Sequence, residues 1–124
     1  MCNKLYVSWN DVSNYIESLY KLYKDQNLTG VYGLPRGGLV LAVMISHKFN
    51  IPVLAHPFKH CIIVDDICDS GESLIHYVKN SSGNKQDNSN YIITTLFYNK
   101  NSIVTPNYYM FEKTDKWIVY PWEL

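Results

Sequence analysis

The stretch Cys61-Ile62-Ile63-Val64-Asp65-Asp66-Ile67-Cys68-Asp69-Ser70-Gly71-Glu72-Ser73 decides how this chain is read. Its apolar start, Cys61 to Val64, suits a strand covered on both faces, as in a parallel sheet. The strand delivers Asp65 and Asp66 to its carboxyl end, where open α/β sheets bind ligands. Small and turn-forming residues from Asp69 to Ser73 come next, and then a helical pattern through Leu74, Ile75, Tyr77 and Val78. A turn that opens into a helix leaves main-chain N–H groups facing outward, and the helix dipole adds to them, so the loop suits a phosphomonoester. Two carboxylates beside such a cradle cannot favour phosphate, and they are assigned to ribose hydroxyls, directly or through a divalent metal. A ribose 5-phosphate satisfies both halves of the motif. Glu72 contributes through its backbone N–H, because a negative side chain beside a phosphate is unfavourable.

A second motif, Gly33-Leu34-Pro35-Arg36-Gly37-Gly38, lies between the apolar pair Val31-Tyr32 and the apolar run Leu39 to Ile45. It reads strand, loop, helix. Paired glycines allow close backbone approach, and Arg36 carries a permanent positive charge suited to phosphate. Alone, the motif is an ordinary tight turn. Beside the first motif it becomes a pyrophosphate loop. The third signal is the tail from Asp115 to Leu124, where Trp117 and Trp122 flank a β-branched run; by its residues it is an edge strand closing a small core.

Around these motifs, Val12, Tyr15, Ile16, Leu19, Tyr20, Leu22 and Tyr23 recur at helical spacing after the candidate caps Ser8 and Asn10. A second helix is predicted from Gly38 to Phe49, apolar nearly all round and therefore packed between sheet and neighbours. Strands are predicted near 51–55, from Cys61, and near 91–98, 108–111 and 117–120, and the polar run Asn80 to Asn90 reads as a surface loop. With 124 residues, 47% of them hydrophobic, and no formal net charge, the chain supports one core and one domain, 1–124. Balanced charge and the lack of a basic cluster argue against nucleic-acid binding. No run reaches membrane-spanning length and no signal peptide is evident. The cysteines Cys2, Cys61 and Cys68 lack paired redox or metal spacing, which points to a reducing, cytoplasmic setting. Cys61 is expected to pack as a small hydrophobe, and Cys68 to sit in the loop beside the site as an oxidisable thiol without a catalytic role. The histidines show no metal-ligand pattern, with His47 and His76 on helix surfaces.

Taken together, the apolar strand, the acidic pair and the Asp69-Ser70-Gly71 loop resemble the signature of type I phosphoribosyltransferases, which bind phosphoribosyl pyrophosphate (PRPP). The tail resembles the end of xanthine-guanine and hypoxanthine phosphoribosyltransferases, and Lys4 to Asn10 continues the similarity to the start of the chain. The resemblance implies an α/β fold with a central, mostly parallel sheet flanked by helices on both faces. It also implies transfer of 5-phosphoribosyl from PRPP to a 6-oxopurine with release of pyrophosphate, as in purine salvage, with Mg2+ as cofactor. On this resemblance Ser70, Gly71, Glu72 and Ser73 hold the 5-phosphate, Asp65 and Asp66 the ribose, and Arg36, Gly37 and Gly38 the pyrophosphate, with a cis peptide at Pro35-Arg36. Asp69 matches the acceptor of the purine's imidazole proton, a role that competes with capping the following helix. Trp117 matches the residue that stacks on the base, and Ile118 the one whose backbone reads its edge. Lys100 matches the cation near the 6-oxo group, or is a surface lysine, and Asp66 and Glu123 match acidic positions near the metal.

One departure stands out. Between the predicted strand at 51–55 and Cys61 only His56, Pro57, Phe58, Lys59 and His60 intervene, where family enzymes place a long flexible hairpin that closes over PRPP. An uncovered site could be slow, leaky or dependent on a neighbouring subunit. Two further functions therefore stay open: a PRPP-binding sensor or interaction module without turnover, and a phosphoribosyltransferase for another acceptor. The family and the many tyrosines point to a homo-oligomer, dimer or tetramer.

Overall fold

The computed structural model describes the backbone of residues 3–83 and 90–124, and side chains for 3–77 and 90–124. The elements run β1 (Lys4–Tyr6), α1 (Trp9–Tyr23), β2 (Val31–Gly33), α2 (Gly37–Phe49), β3 (Ile62–Cys68), α3 (Glu72–Gly83), β4 (Ile92–Tyr98), β5 (Tyr108–Glu112) and β6 (Trp117–Val119), ending in a short 3-10 turn, Pro121–Glu123. The central sheet has the order β2-β3-β4-β5 and every pair in it is parallel. Its far edge is extended by one residue, since Val53 forms a parallel bridge with Val31. The strand predicted at 51–55 is thus reduced to that bridge, because Pro52 has no N–H to add to a ladder.

This order creates a reversal. From β2 the chain passes through α2 to the edge at Val53, then returns to place β3 on the other side of β2. The next crossover, through α3, continues outward to β4. Connections that leave adjacent strands in opposite directions put their helices on opposite faces and open a crevice at the strands' carboxyl ends. The packing agrees: Val12, Tyr15, Ile16, Leu19, Leu41, Ala42 and Ile45 of α1 and α2 bury against Ile62 and Val64, whereas Leu74 of α3 lies with Cys61, Ile63 and Ile93. The fully buried apolar start of β3 follows from coverage on both faces.

Local chemistry sets the element ends. Ser8 caps α1, its Oγ accepting the Asp11 N–H at 3.0 Å while the Asp11 carboxylate accepts the Ser8 N–H at 3.0 Å. Asn10, the other candidate cap, lies inside the helix. Leu22 is exposed although its spacing suggested a buried position, since it falls beyond the stripe Val12, Tyr15, Ile16, Leu19. Within α2, Leu39 and Val43 are likewise exposed, so that helix has an apolar face outside the core. The polar run from Asn80 begins inside α3, which carries these weak helix formers as far as Gly83 once nucleated; the rest of the predicted loop, 84–89, lies outside the described residues, as does Cys2.

The tail forms a separate parallel pair, Lys4↔Trp117, Leu5↔Ile118 and Tyr6↔Val119. Aromatic rings fasten it to the main sheet. Tyr120 stacks on Trp122 at 4.9 Å and meets Phe97 of β4 edge-on at 6.1 Å, and Phe97 in turn meets Phe111 of β5 at 5.2 Å.

Candidate functional site

The acidic pair lies within β3, which continues past it to Cys68. Side-chain alternation changes phase there: Ile62 and Val64 pack with α1 and α2 and Ile63 with α3, but Ile67 joins the first group and Cys68 the second. At the same step the Asp66 N–H donates to Asp65 Oδ1 at 2.9 Å, and the Ile67 N–H to Asp66 Oδ1 at 2.8 Å. Each carboxylate is therefore held by the N–H of the residue that follows it. Asp65 is partly buried, and this burial, together with the neighbouring Asp66 charge, pushes its carboxyl well above the usual carboxylate range.

The glycine loop reaches the same place from β2. A Cβ at Gly37 would run into the Asp66 carboxylate, and one at Gly38 would run into the Val64 carbonyl oxygen. Only glycines let the start of α2 approach β3 this closely. The peptide Pro35-Arg36 is cis. Arg36 is exposed and precedes the helix without a side-chain cap. The amino end of α2 thus faces Asp66, and its dipole favours the negative charge.

The loop Asp69 to Gly71 follows β3. Gly71 has φ +86° and its carbonyl accepts the N–H groups of Leu74 and Ile75 at 3.1 and 2.9 Å, so it sits at the head of α3. A side chain there would meet Ser102 Oγ at 2.5 Å and Val104 N at 2.9 Å. The Glu72 N–H donates to Ser70 Oγ at 3.3 Å, while Glu72 and Ser73 are exposed. Among the described residues Asp69 bonds no helix N–H; its carboxylate accepts from Asn99 Nδ2 at 2.8 Å. Asn99 had no motif to reveal it, because its role comes from the turn after β4, where Asn99 Oδ1 also accepts the Asn101 N–H.

The end of β3 borders a cleft of about 360 Å³, whose lining does not include Asp65, Arg36, Gly38 or the residues from Ser70 to Ser73. Asp66, Ile67 and Asp69 form one side. Trp117, Ile118, Tyr120 and Glu123 form the other, with Lys113 and Lys116 at the rim. Of the residues singled out in the sequence, Asp66, Asp69, Trp117, Ile118 and Glu123 line the cleft, and Gly37 joins it through Asp66. Lys100 lies in the turn after β4 and is not among the lining residues. Trp117 is 70% exposed and presents its ring to solvent. Glu123 Oε1 accepts the Tyr120 N–H at 2.8 Å, which ties up part of that carboxylate within the tail. A larger recess of about 530 Å³, bordered by Gln26, His60 and Tyr91, lacks comparable chemistry.

Cys68 departs from its expected place in the loop. It is the last residue of β3, buried, with Sγ 3.1 Å from Ser102 Oγ and 3.4 Å from the Val104 carbonyl oxygen, and burial pushes its thiol up. Such a thiol is inert. Cys61 is also buried. Between Val53 and Ile62 the chain makes only bends and a turn, without a hairpin.

No protein-family model matches the sequence, and no curated protein does. Solved structures do. A purine phosphoribosyltransferase from Pyrococcus horikoshii superposes with a TM-score of 0.79 at 29% identity, over 98% of this chain and 95% of that one. The chain has the type I phosphoribosyltransferase fold. Helicobacter pylori xanthine-guanine-hypoxanthine phosphoribosyltransferase superposes with a TM-score of 0.76 at 17% identity, over 98% of this chain and 95% of that one. A hypothetical protein from Neisseria gonorrhoeae with bound ppGpp has the fold as well, with a TM-score of 0.70 at 15% identity over 100% and 91% of the two chains. The cleft lies at the carboxyl end of β3, beside the C-terminal tail. The likeness supports a phosphoribosyl-transfer type of reaction and leaves the acceptor open. Among the described residues no helix is long and apolar enough to cross a membrane.

Proposed function

We propose that the protein is a purine phosphoribosyltransferase of the xanthine, guanine and hypoxanthine class, moving 5-phosphoribosyl from PRPP to a 6-oxopurine and releasing pyrophosphate. The observation that carries this reading is the convergence of Asp66, Asp69 and the C-terminal aromatic tail on one cleft.

In this reading the N–H groups of the Ser70 to Ser73 loop bind the 5-phosphate, with Gly71 setting the backbone direction. Asp65 and Asp66 accept hydrogen bonds from the ribose hydroxyls, and Arg36 with Gly37 and Gly38 binds the pyrophosphate. Trp117 stacks on the base and the Ile118 backbone meets its edge, while Lys100 or the rim lysines Lys113 and Lys116 face an exocyclic oxygen. Asp69, oriented by Asn99, takes the proton that the base loses as its nitrogen attacks the anomeric carbon. The bond to pyrophosphate lengthens first, and the positive charge that develops on the sugar is stabilised by the nearby carboxylates.

Among the described residues no three Asp, Glu, His or Cys side chains converge to hold a metal. An acidic pair beside a phosphate site nevertheless fits magnesium carried by PRPP, which binds through one or two carboxylates together with substrate oxygens. Asp66 is the first choice as that ligand and Glu123 the second. When bound, the ion neutralises charge on the leaving pyrophosphate. Homo-oligomerisation and a cytoplasmic setting complete the proposal.

The short connection from Val53 to Ile62 favours one other reading, a PRPP binder without turnover. Pyrophosphate release separates the two. The enzyme releases it only with PRPP, magnesium and a 6-oxopurine together; binding of PRPP with no base-dependent release selects the sensor, and absence of PRPP binding rejects both.

A further inference from the structure

Tyr15 and Tyr120 are both buried, and they differ in one respect. The Tyr15 hydroxyl shares a 2.6 Å hydrogen bond with Thr94 Oγ1. Tyr120 is 5% exposed, and its hydroxyl is the buried side-chain polar atom without a hydrogen-bond partner among the described residues. Leaving such a group unpaired costs stability, whereas phenylalanine at the same place would not. Tyr120 also lines the cleft. A phenol hydroxyl can donate as well as accept, and this residue shares the cleft with Asp66, Asp69 and Glu123. Its ring is fixed from two sides by Trp122 and Phe97, so the oxygen has little freedom to seek water.

We propose that the Tyr120 hydroxyl is a ligand-binding donor that completes the sugar site. It donates to the oxygen of a pentose hydroxyl whose own proton is given to the acidic pair. A hydroxyl is both donor and acceptor, and carboxylates satisfy only the first of these capacities. The inference rests on the phosphoribosyl reading of the cleft and adds to it a specificity residue for the sugar.

The test uses the full chain and its Tyr120→Phe variant with two probes, guanosine 5′-monophosphate and its 2′,3′-dideoxy counterpart, together with thermal unfolding of the ligand-free proteins. The expected result is that Tyr120→Phe weakens the ribonucleotide by about three- to tenfold and leaves dideoxy binding within about twofold, so that the double-mutant cycle shows coupling. Ligand-free Tyr120→Phe should unfold at the same temperature or higher. Equal loss against both probes, or no loss against either, overturns the inference while the phosphoribosyl reading stands. A clear drop in the melting temperature of the free variant also overturns it, because the hydroxyl then has a partner without ligand. If the wild-type chain binds neither nucleotide nor PRPP, the reading of the cleft falls and the inference with it.

Discussion

The two walls of the cleft are built in opposite ways. On one side, β3 and the head of α2 meet with no room to spare: glycines touch Val64 and Asp66, the strand is covered on both faces, and each acidic side chain is held by the next N–H. The other wall is a strand pair on the flank, Trp117 at 70% exposure, and a run of stacked rings. One wall is fixed by sterics and the other by weak contacts. Changes to the first should therefore act on folding and site together, whereas changes to the second should act on ligand recognition with little effect on folding.

The largest effect should come from Gly38→Ala, which drives a methyl into the Val64 backbone; urea unfolding should show a loss of about 3 kcal/mol. Gly37→Ala meets a side chain instead, so it should lose less stability and show mainly impaired PRPP binding by calorimetry. Equal stability losses in the two variants would break the distinction between backbone and side-chain contact.

Asp65→Asn comes next and separates function from stability. With its carboxyl raised by burial and by Asp66, the folded chain holds the proton more tightly than the unfolded chain. The stability linked to that proton is whole below the ordinary carboxyl range and is lost as pH rises through the raised value. Asparagine removes this loss. Denaturation at about pH 9 should find Asp65→Asn more stable than wild type by about 1–3 kcal/mol, with the difference shrinking towards about pH 4, while sugar-phosphate binding falls at neutral pH. A pH-independent difference would contradict the burial argument.

On the second wall, Trp117→Ala should cost about 1–3 kcal/mol of base affinity and change the unfolding free energy by no more than about 0.5 kcal/mol. If PRPP and base weaken equally, the stacking role fails. The smallest effect is expected for Trp122→Leu, which removes the ring stacked on Tyr120 and should cost about 1 kcal/mol in thermal unfolding. A much larger loss would mean that the tail supports the fold as firmly as β3 does.

The same contrast explains what was legible beforehand. The β3 motif is contiguous, so its strand, its turn and the α3 start could be read from period and turn chemistry alone. The glycine loop was readable in the same way. Misreadings concentrate where distant contacts decide: the segment at 51–55 is a one-residue bridge because its proline interrupts the ladder, and Cys68 is sealed by Ser102 and Val104 instead of facing the loop. The turn after β5 also brings Lys113 and Lys116 to the cleft beside the tail, a placement that no motif revealed.

The amino-acid order by itself determined the alternation of strands and helices, the covered parallel strand and the two glycine-containing loops, because each depends on side-chain period and local backbone preference within a dozen or so neighbouring positions. Only the tertiary structure decided that the Tyr120 hydroxyl has no hydrogen-bond partner among the described residues, that Asn99 orients Asp69, and that the start of α2 presses on Asp66. Those relations join residues far apart in the chain, and they exist only once the reversal between β2 and β3 has brought their strands together.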